Sequence, residues 1–165
     1  MLLLSVNTAG ILANQNIFDC ATSADANLVG YQSLSINLST PVGNGQAHIY
    51  VRNISAGTTR LVSTDVAGAQ GNGQSGGCWL SGDGAFIAFY SDATNLVAGD
   101  TNGVADVFLK NLNTGSIQRV SVDSSGVQGN GQSPHFADPE TGDVILSRKP
   151  ANWDREPLDE TVPSG

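Results

Sequence analysis

A repeat of 58 residues constrains the fold of this chain more than any other feature of its sequence. The string GNGQS occurs at residues 71–75 and again at residues 129–133, 58 positions later. Comparison of residues 44–75 with residues 102–133 at that spacing, without gaps, gives 15 identities in 32 positions. Self-similarity at a fixed period of this size is typical of propellers, solenoids and other repeat architectures.

The same frame extends to the N-terminus and decides between two alignments. Three copies of one segment follow it: LSVNTAG (4–10), VSTDVAG (62–68) and VSVDSSG (120–126). The similar strings ANLV (26–29) and TNLV (94–97) can be paired only with compensating gaps on either side. The ungapped frame instead pairs Asn37 with Asn95, and it requires no insertion. The ungapped frame is therefore the better description of the repeat.

The best-preserved copy predicts four short strands joined by turns. These strands cover residues 77–81, 86–91, 105–111 and 116–123. The string FIAFYS (86–91) is almost continuously apolar, as expected for a strand that is covered on both faces. Four short strands per repeat fit one blade of a β-propeller, whereas a helical array would show a 3.6-residue period.

Two longer strings resemble a known repeat. The pattern S-x-D-G-x-x-I-A-F-x-S (81–91), followed by D-V-F-L-x-N-L-x-T-G (106–115), resembles the TolB-type, WD-like β-propeller repeat. TNLVAGDTNGVADVFLKN (94–111) is similar to arrays of that repeat in bacterial exported proteins of unassigned function. The resemblance covers residues 18–123 and implies an all-β propeller fold in a periplasmic or extracellular setting. It implies no single activity, because such propellers mostly serve as binding platforms.

The repeat also predicts the organisation of the chain, which holds about 2.8 copies. We expect a partial blade at 1–10 with a lone strand over 2–7, full blades at about 18–65 and 76–123, a partial blade at 133–148, and an acidic, proline-containing coil at 149–165. A propeller closes with four to eight blades. The chain is therefore expected to be either a fragment of a longer array or a protomer that closes a ring by self-association.

Composition excludes several classes of partner. Seven basic residues against 15 acidic ones give a formal charge of -8, whereas a nucleic-acid binder needs a basic surface. No apolar run approaches 18 residues, so membrane insertion is not expected. Residues 1–4 lack a basic n-region and are too short for a signal peptide. The remaining partners are a protein or a glycan.

The string GQSGG (73–77) matches the G-x-S-x-G motif that places a catalytic serine on a strand-to-helix turn. A strand is predicted after it, not a helix, and the next copy is GQSPH (131–135). Neither His48 nor His135 lies at a spacing that supports a catalytic triad. Ser75 is therefore predicted to be a structural serine of the repeat, and no catalytic residue is assigned.

One loop is a candidate metal site. Asp100, Asn102 and Asp106 place oxygen donors at alternate positions around a glycine, as short calcium loops do. The first copy has Val42 and His48 where the two aspartates stand, and the loop lacks a bidentate glutamate. The alternative is a turn in which Asp and Asn side chains cap backbone amides. Calcium is the one cofactor considered.

A second polar turn, SGDG (81–84), is echoed by SADA (23–26). It lacks the G-x-T-W ending of a sialidase Asp-box, and sialidase chemistry also needs an arginine cluster. Arg52, Arg60 and Arg119 lie instead at strand-like positions of the repeat. The Ser and Asp side chains of this turn are predicted to bond its own backbone.

Cysteines and aromatic residues complete the candidates. Cys20 and Cys78 occupy equivalent positions near the inner edge of adjacent blades, where they are predicted to be buried free thiols, because neighbouring inner strands rarely meet disulfide geometry. Trp79, Tyr90 and Tyr50 are predicted to belong to the inter-blade core. The alternative is that these aromatic residues line a ligand cleft between blades.

The sequence thus favours a non-catalytic binding or scaffolding module that recognises a protein or a glycan outside the cytoplasm. The alternatives are the propeller portion of a secreted hydrolase or lyase, and a calcium-stabilised repeat. Enzyme sites break repeat symmetry with unique polar residues, whereas the loops here are nearly repeated. The asymmetric positions are His48 against Asp106 and His135 against Gly77, which favours binding over catalysis.

Overall fold

Two four-stranded antiparallel sheets make up the structure, a computed structural model that describes residues 4–40 and 43–131. The first sheet contains β1 (Ile17–Thr22), β2 (Leu28–Ser33), β3 (His48–Asn53) and β4 (Thr58–Leu61). The second contains β5 (Ser75–Leu80), β6 (Phe86–Ser91), β7 (Asp106–Asn111) and β8 (Ile117–Arg119). Each sheet is a meander in which consecutive strands pair. The predicted all-β fold of four-stranded antiparallel blades is confirmed.

The predicted strands of the second copy differ from the observed ones mainly at their ends. β6 has the predicted bounds, β7 begins one residue later than predicted, and β5 begins at Ser75 rather than at residue 77. β8 ends at Arg119, because the chain then enters a hairpin turn closed by a bridge between Val122 and Gln128. In the first copy, the described part of the predicted strand 2–7 contains only the bridge from Val6 to Leu12.

Other predictions about organisation fall outside the described residues. These are the partial blade at 133–148, the coil at 149–165, the candidate His135, and the first residues of the strand at 2–7. The domain boundaries therefore stay predictions.

A hairpin turn after the fourth-strand position repeats three times and confirms the 58-residue period. In the second copy the Asp65 carboxylate accepts a hydrogen bond from the Ala69 backbone N–H at 2.7 Å, and Gly68 has φ +87°. The same turn forms around Asn7 and around Asp123. Its glycine adopts a positive φ each time, which residues with a Cβ rarely do.

The ungapped alignment is also confirmed by side-chain contacts. The Asn95 side-chain oxygen accepts the Asn72 backbone N–H at 2.9 Å, and the Asn37 side-chain oxygen accepts the Asn14 backbone N–H at 3.1 Å. Both pairs lie 23 residues apart and are related by 58 positions. Asn37 and Asn95 therefore have the same role in the two blades. Each links the loop after the second strand to the segment before the first strand.

The main hydrophobic core lies between the two sheets. It contains residues from both blades: Ile49, Val51, Val62, Cys78, Ile87, Phe89, Ala93, Leu96, Phe108 and Leu112. A second cluster, around Tyr31 and Tyr50, lies on the opposite face of the first sheet, since side chains alternate along a strand. The Tyr31 and Tyr50 rings stack with centroids 6.0 Å apart, and Phe89 and Phe108 do the same at 5.9 Å. The aromatic pair is thus part of the repeat.

A basic side chain on the third strand of each blade contacts the turn of the preceding repeat. Lys110 Nζ donates to the Thr64 carbonyl oxygen at 2.6 Å, and Arg52 Nη1 donates to the Asn7 carbonyl oxygen at 3.3 Å. Burial lowers the pKa of Lys110 to about 8. Lys110 and Arg52 are 58 residues apart, so this contact joins neighbouring repeats at equivalent places.

Ile49 belongs to the first blade and is fully buried in the core between the sheets. A cavity at this position is therefore expected to cost much stability. Ile49→Ala is expected to lower the free energy of unfolding by about 2–5 kcal/mol. Val66→Ala is the control, because Val66 is 75% exposed, and it should change stability by no more than about 0.5 kcal/mol. Urea unfolding measures both. Equal effects of the two substitutions would contradict packing between the sheets.

Candidate functional site

The first strands of the two sheets, β1 and β5, lie against each other. A cleft of about 240 Å³ opens at their junction. It is lined by Asp19, Cys20, Gly77, Cys78, Trp79 and Tyr90. We call it the inner-strand cleft, because the first strand of a blade is the one nearest the axis of a propeller.

A β-bulge in each strand shapes the cleft. The pairing register shifts between Phe18 and Cys20 in β1, and between Gly76 and Cys78 in β5. The residues inside these bulges are Asp19 with φ +42° and Gly77 with φ +49°. Both are at the same position of the repeat and both line the cleft. Bulges of this kind redirect side chains, and they are frequent beside functional sites.

Two glycines allow two aromatic rings to approach the floor of the cleft. Gly76 pairs across the strands with Tyr90, and a Cβ at Gly76 would lie 2.3 Å from the Tyr90 hydroxyl oxygen. A Cβ at Gly77 would lie 2.8 Å from Cη2 of Trp79 and 3.0 Å from Cε1 of Tyr90. The rings therefore converge over the bare backbone of Gly77, and both remain half-buried.

Repeat symmetry is broken at these positions. The second blade has Gly76, Gly77, Trp79 and Tyr90 where the first has Phe18, Asp19, Ala21 and Gln32. Phe18 pairs with Gln32 in the first blade, and Gly76 pairs with Tyr90 in the second. The aromatic ring of this pair therefore lies on the first strand in one blade and on the second strand in the other. Among the described residues, the aromatic wall thus belongs to the second blade, and the acidic bulge residue belongs to the first.

The cleft carries negative charge. Burial raises the pKa of Tyr90, and the negative charges of Asp19 and Asp92 raise it further. Burial also raises the pKa of Cys20, and Asp19 adds to the effect. No lysine or arginine is among the residues that line the cleft. A ligand here therefore meets aromatic faces and negative charge.

The two cysteines differ from each other. Cys78 is a buried free thiol, as predicted, and burial, with smaller contributions from Cys20 and Asp19, raises its pKa to about 12. Cys20 is also free, but it is exposed, so its predicted burial is wrong. Cys20 pairs across the strands with Tyr31 of the second cluster, so it lies on the face of the first sheet that the second blade does not cover.

The predictions for the three aromatic residues also have different outcomes. Tyr50 is fully buried, as predicted, and its hydroxyl donates to the Ser35 carbonyl oxygen at 3.0 Å, but it lies in the second cluster and not in the core between the two sheets. Trp79 and Tyr90 line the cleft instead, which makes the core prediction wrong for them. The sequence contains a signal for this outcome in the glycine pair at Gly76 and Gly77, which leaves room above the strand.

The residues predicted to bind calcium do come together, but around a guanidinium group. Asp106 is 1% exposed and accepts hydrogen bonds from Ser121 Oγ at 2.5 Å, from Asn102 Nδ2 at 2.9 Å and from Arg119 Nη1 at 3.3 Å. Asp100 forms an ion pair with the same Nη1 at 3.3 Å. Burial raises the pKa of Asp100, as does its neighbour Asp106.

Arg119 thus supplies the positive charge between the two aspartates. In the part of the chain that the structure describes, no group of three or more His, Cys, Asp or Glu side chains could hold a metal ion. The calcium site stays a prediction, and a cation there would have to replace Arg119. Sequence reasoning missed Arg119 because it lies at the end of β8, outside the loop that suggested the site.

His48 stands where the second copy has Asp106, in an equivalent polar network. Its Nδ1 lies 3.0 Å from Ser63 Oγ, and its Nε2 lies 2.9 Å from the Asn44 side-chain oxygen. The Gln70 side-chain nitrogen lies 2.7 Å from the same Nε2, so neighbouring side chains contact both ring nitrogens. Burial lowers the pKa of His48. His48 is a buried structural histidine.

The side chains of the SGDG turn bond its own backbone, as predicted, and Ser75 is buried at the start of β5. Ser75 is the first residue of β5, is 1% exposed, and lies 2.9 Å from Ser91 through their hydroxyl oxygens. In the turn, the Ser81 hydroxyl donates to Asp83 at 2.6 Å, and Asp83 accepts the Ala85 backbone N–H at 2.9 Å. These hydroxyl and carboxyl groups stabilise backbone conformation.

Comparisons with known proteins give similarity in structure alone. No family model and no curated protein matches the chain. TolB from Acinetobacter baumannii is 22% identical over 64% of this chain and 21% of its own, with a TM-score of 0.41. The β-propeller domain of the Trilobed protease from Pyrococcus furiosus is 17% identical over 71% of this chain and 29% of its own, with a TM-score of 0.44.

This chain therefore spans less than a third of the length of those structures. None of the described residues forms a helix long and apolar enough to cross a membrane. The fold assignment rests on the strand order and register of the two sheets. They are β-propeller blades of the kind that the resemblance to the TolB-type repeat implied.

The Arg119 geometry sharpens the calcium prediction. Removal of the guanidinium in Arg119→Ala leaves Asp100 and Asp106 without their shared cation. If the loop can bind calcium, millimolar calcium should then raise the Tm of Arg119→Ala more than that of the parent, and a further Asp100→Asn change should remove the effect. Calorimetry with calcium and with magnesium measures the shifts. No calcium-dependent shift in any variant would end the prediction.

His48 predicts a loss of stability in mild acid. Because its folded pKa lies below the ordinary value, the unfolded chain binds more protons between that pKa and about 6.5, and stability is lost as pH falls through this range. His48→Gln keeps a polar side chain that does not titrate, so its stability should fall less steeply. Urea unfolding at a series of pH values compares them. Parallel curves would show that His48 is not the group responsible.

Proposed function

We propose that this chain is a non-catalytic binding module, in which the inner-strand cleft holds a group of a protein or glycan partner. The observation that carries the proposal is the aromatic wall of Trp79 and Tyr90, which the first blade lacks at the equivalent positions. Half-buried aromatic rings beside a cleft are common in ligand sites, because they offer large contact area at a small cost in conformational entropy.

The alternative, the propeller portion of a secreted hydrolase or lyase, has less support. Its best candidates are Ser75 and His48, which are fully or almost fully buried in hydrogen-bonded networks. A nucleophile or a general base must reach its substrate. These two side chains stabilise the blades instead.

The proposed setting is the periplasm or the cell exterior, and it rests on the resemblance of the repeat to those of exported bacterial proteins. The proposed assembly is a closed ring, formed either within a longer array or with a second copy of this chain, since four to eight blades close a propeller. In a closed ring the inner-strand cleft would face the central channel.

Ligand screening by fluorescence tests the proposal. In a Trp153→Phe background Trp79 is the single tryptophan, so peptides and neutral oligosaccharides can be screened by the change in its emission. For any hit, Trp79→Ala, followed by calorimetry, is expected to weaken binding by about tenfold or more. Phe86→Ala is the matched control, because Phe86 is 39% exposed and does not line the cleft. Equal losses in both variants, or none, would contradict binding at the cleft.

A further inference from the structure

Building on the proposed function, we infer that the inner-strand cleft binds an organic cation, an ammonium or guanidinium group. The faces of the Trp79 and Tyr90 rings would contact this cation, and the carboxylate of Asp19 would be its counter-ion. Three features carry this inference: the geometry of the two rings, the charge of the cleft, and the size of the space.

The ring geometry suits a cation. Trp79 and Tyr90 converge on Gly77, where the position of a missing Cβ is 2.8 Å from one ring and 3.0 Å from the other. Because a Cβ there would overlap both rings, the rings themselves fill the space above this glycine, and a ligand would contact the sides of the rings that line the cleft. Cations bind the electron-rich faces of Trp and Tyr within about 6 Å of the ring centre, and desolvation in a cleft strengthens the interaction.

The charge of the cleft suits the same group. Asp19 lies in the lining with a strained positive φ, a conformation that proteins tend to keep at functional sites. Within residues 4–40 and 43–131, both ion pairs involve Arg119, so Asp19 has no cationic partner there. The described basic side chains are all hydrogen-bonded elsewhere: Arg52, Arg60, Lys110 and Arg119.

The space is large enough for a small organic cation. The cleft of about 240 Å³ has room for a methylated ammonium or the end of a lysine or arginine side chain. A neutral sugar would need several convergent hydrogen-bond partners. The lining offers few of them, since its polar side chains are one carboxylate, one phenol, one indole N–H and two thiols.

The cation has two possible sources, a basic side chain of a partner protein or a free small amine. The probes are therefore tetramethylammonium chloride, a capped Gly-Lys-Gly peptide and the capped Gly-norleucine-Gly peptide, which has the same length but no charge. Binding is measured by calorimetry and by Trp79 emission in the Trp153→Phe background. Tetramethylammonium binding indicates a small amine, and binding of the lysine peptide alone indicates a protein side chain; both support the inference.

Two substitutions test the role of the carboxylate. Asp19→Asn removes the charge and keeps a residue that tolerates a positive φ, and it should weaken cation binding by about tenfold or more. Asp65→Asn is the matched control, because the first repeat already has Asn7 in that turn, and it should leave binding unchanged. Added salt should weaken the interaction. Matching unfolding curves verify that both variants fold.

The results separate this inference from the proposed function. Equal binding of the lysine and norleucine peptides, or full cation binding by Asp19→Asn, overturns the cationic ligand. A neutral oligosaccharide that binds through Trp79, with no binding of the cationic probes, also overturns it but leaves the binding module standing. If the cationic probes fail and the wider screen finds no ligand, both the inference and the proposed function are wrong.

Discussion

Face-to-face packing of one four-stranded sheet on the next is the interaction on which the rest of the structure depends. A single sheet of this size has two apolar faces, and it becomes stable only when a neighbour covers them. Here Ile49 and Val51 of the first blade are buried against Ile87 and Phe89 of the second. Because β5 lies against the first sheet, this packing also sets the distance between β1 and β5, and the inner-strand cleft exists only as its consequence.

The repeat keeps the backbone constant and varies the side chains on it. Both inner strands carry a bulge at the same position, with a positive φ at Asp19 and at Gly77. Both blades thus contain the same strained bulge, but its side chains differ: a carboxylate in the first blade and a glycine covered by two aromatic rings in the second. A binding site can arise in this way without any change in fold, because only a few positions of the first two strands have to diverge.

The sequence predicted local structure well and contacts between strands poorly. β6 was predicted to the residue, because a turn and an apolar run define it locally. The exposure of Cys20 depends on which face of the first sheet a neighbour covers, and the approach of Trp79 to Tyr90 depends on the pairing of β5 with β6; no local pattern encodes either. Arg119 was missed for a similar reason, since it reaches Asp100 from another strand. The repeat period shows which residues of the two blades are equivalent, but it does not show which residues lie in contact.

The number of polar residues in a loop is therefore a poor guide to the candidate binding site in this protein. The loops richest in Asp and Asn form internally satisfied networks, in which Asp106 accepts three hydrogen bonds and His48 is held on both ring nitrogens. Buried polar groups need such partners, and once they have them little capacity is left for a ligand. Asp19 is the reverse case: it is exposed, and its carboxylate has no ion pair within the described residues. A carboxylate that the fold itself does not use is available to recognise something else.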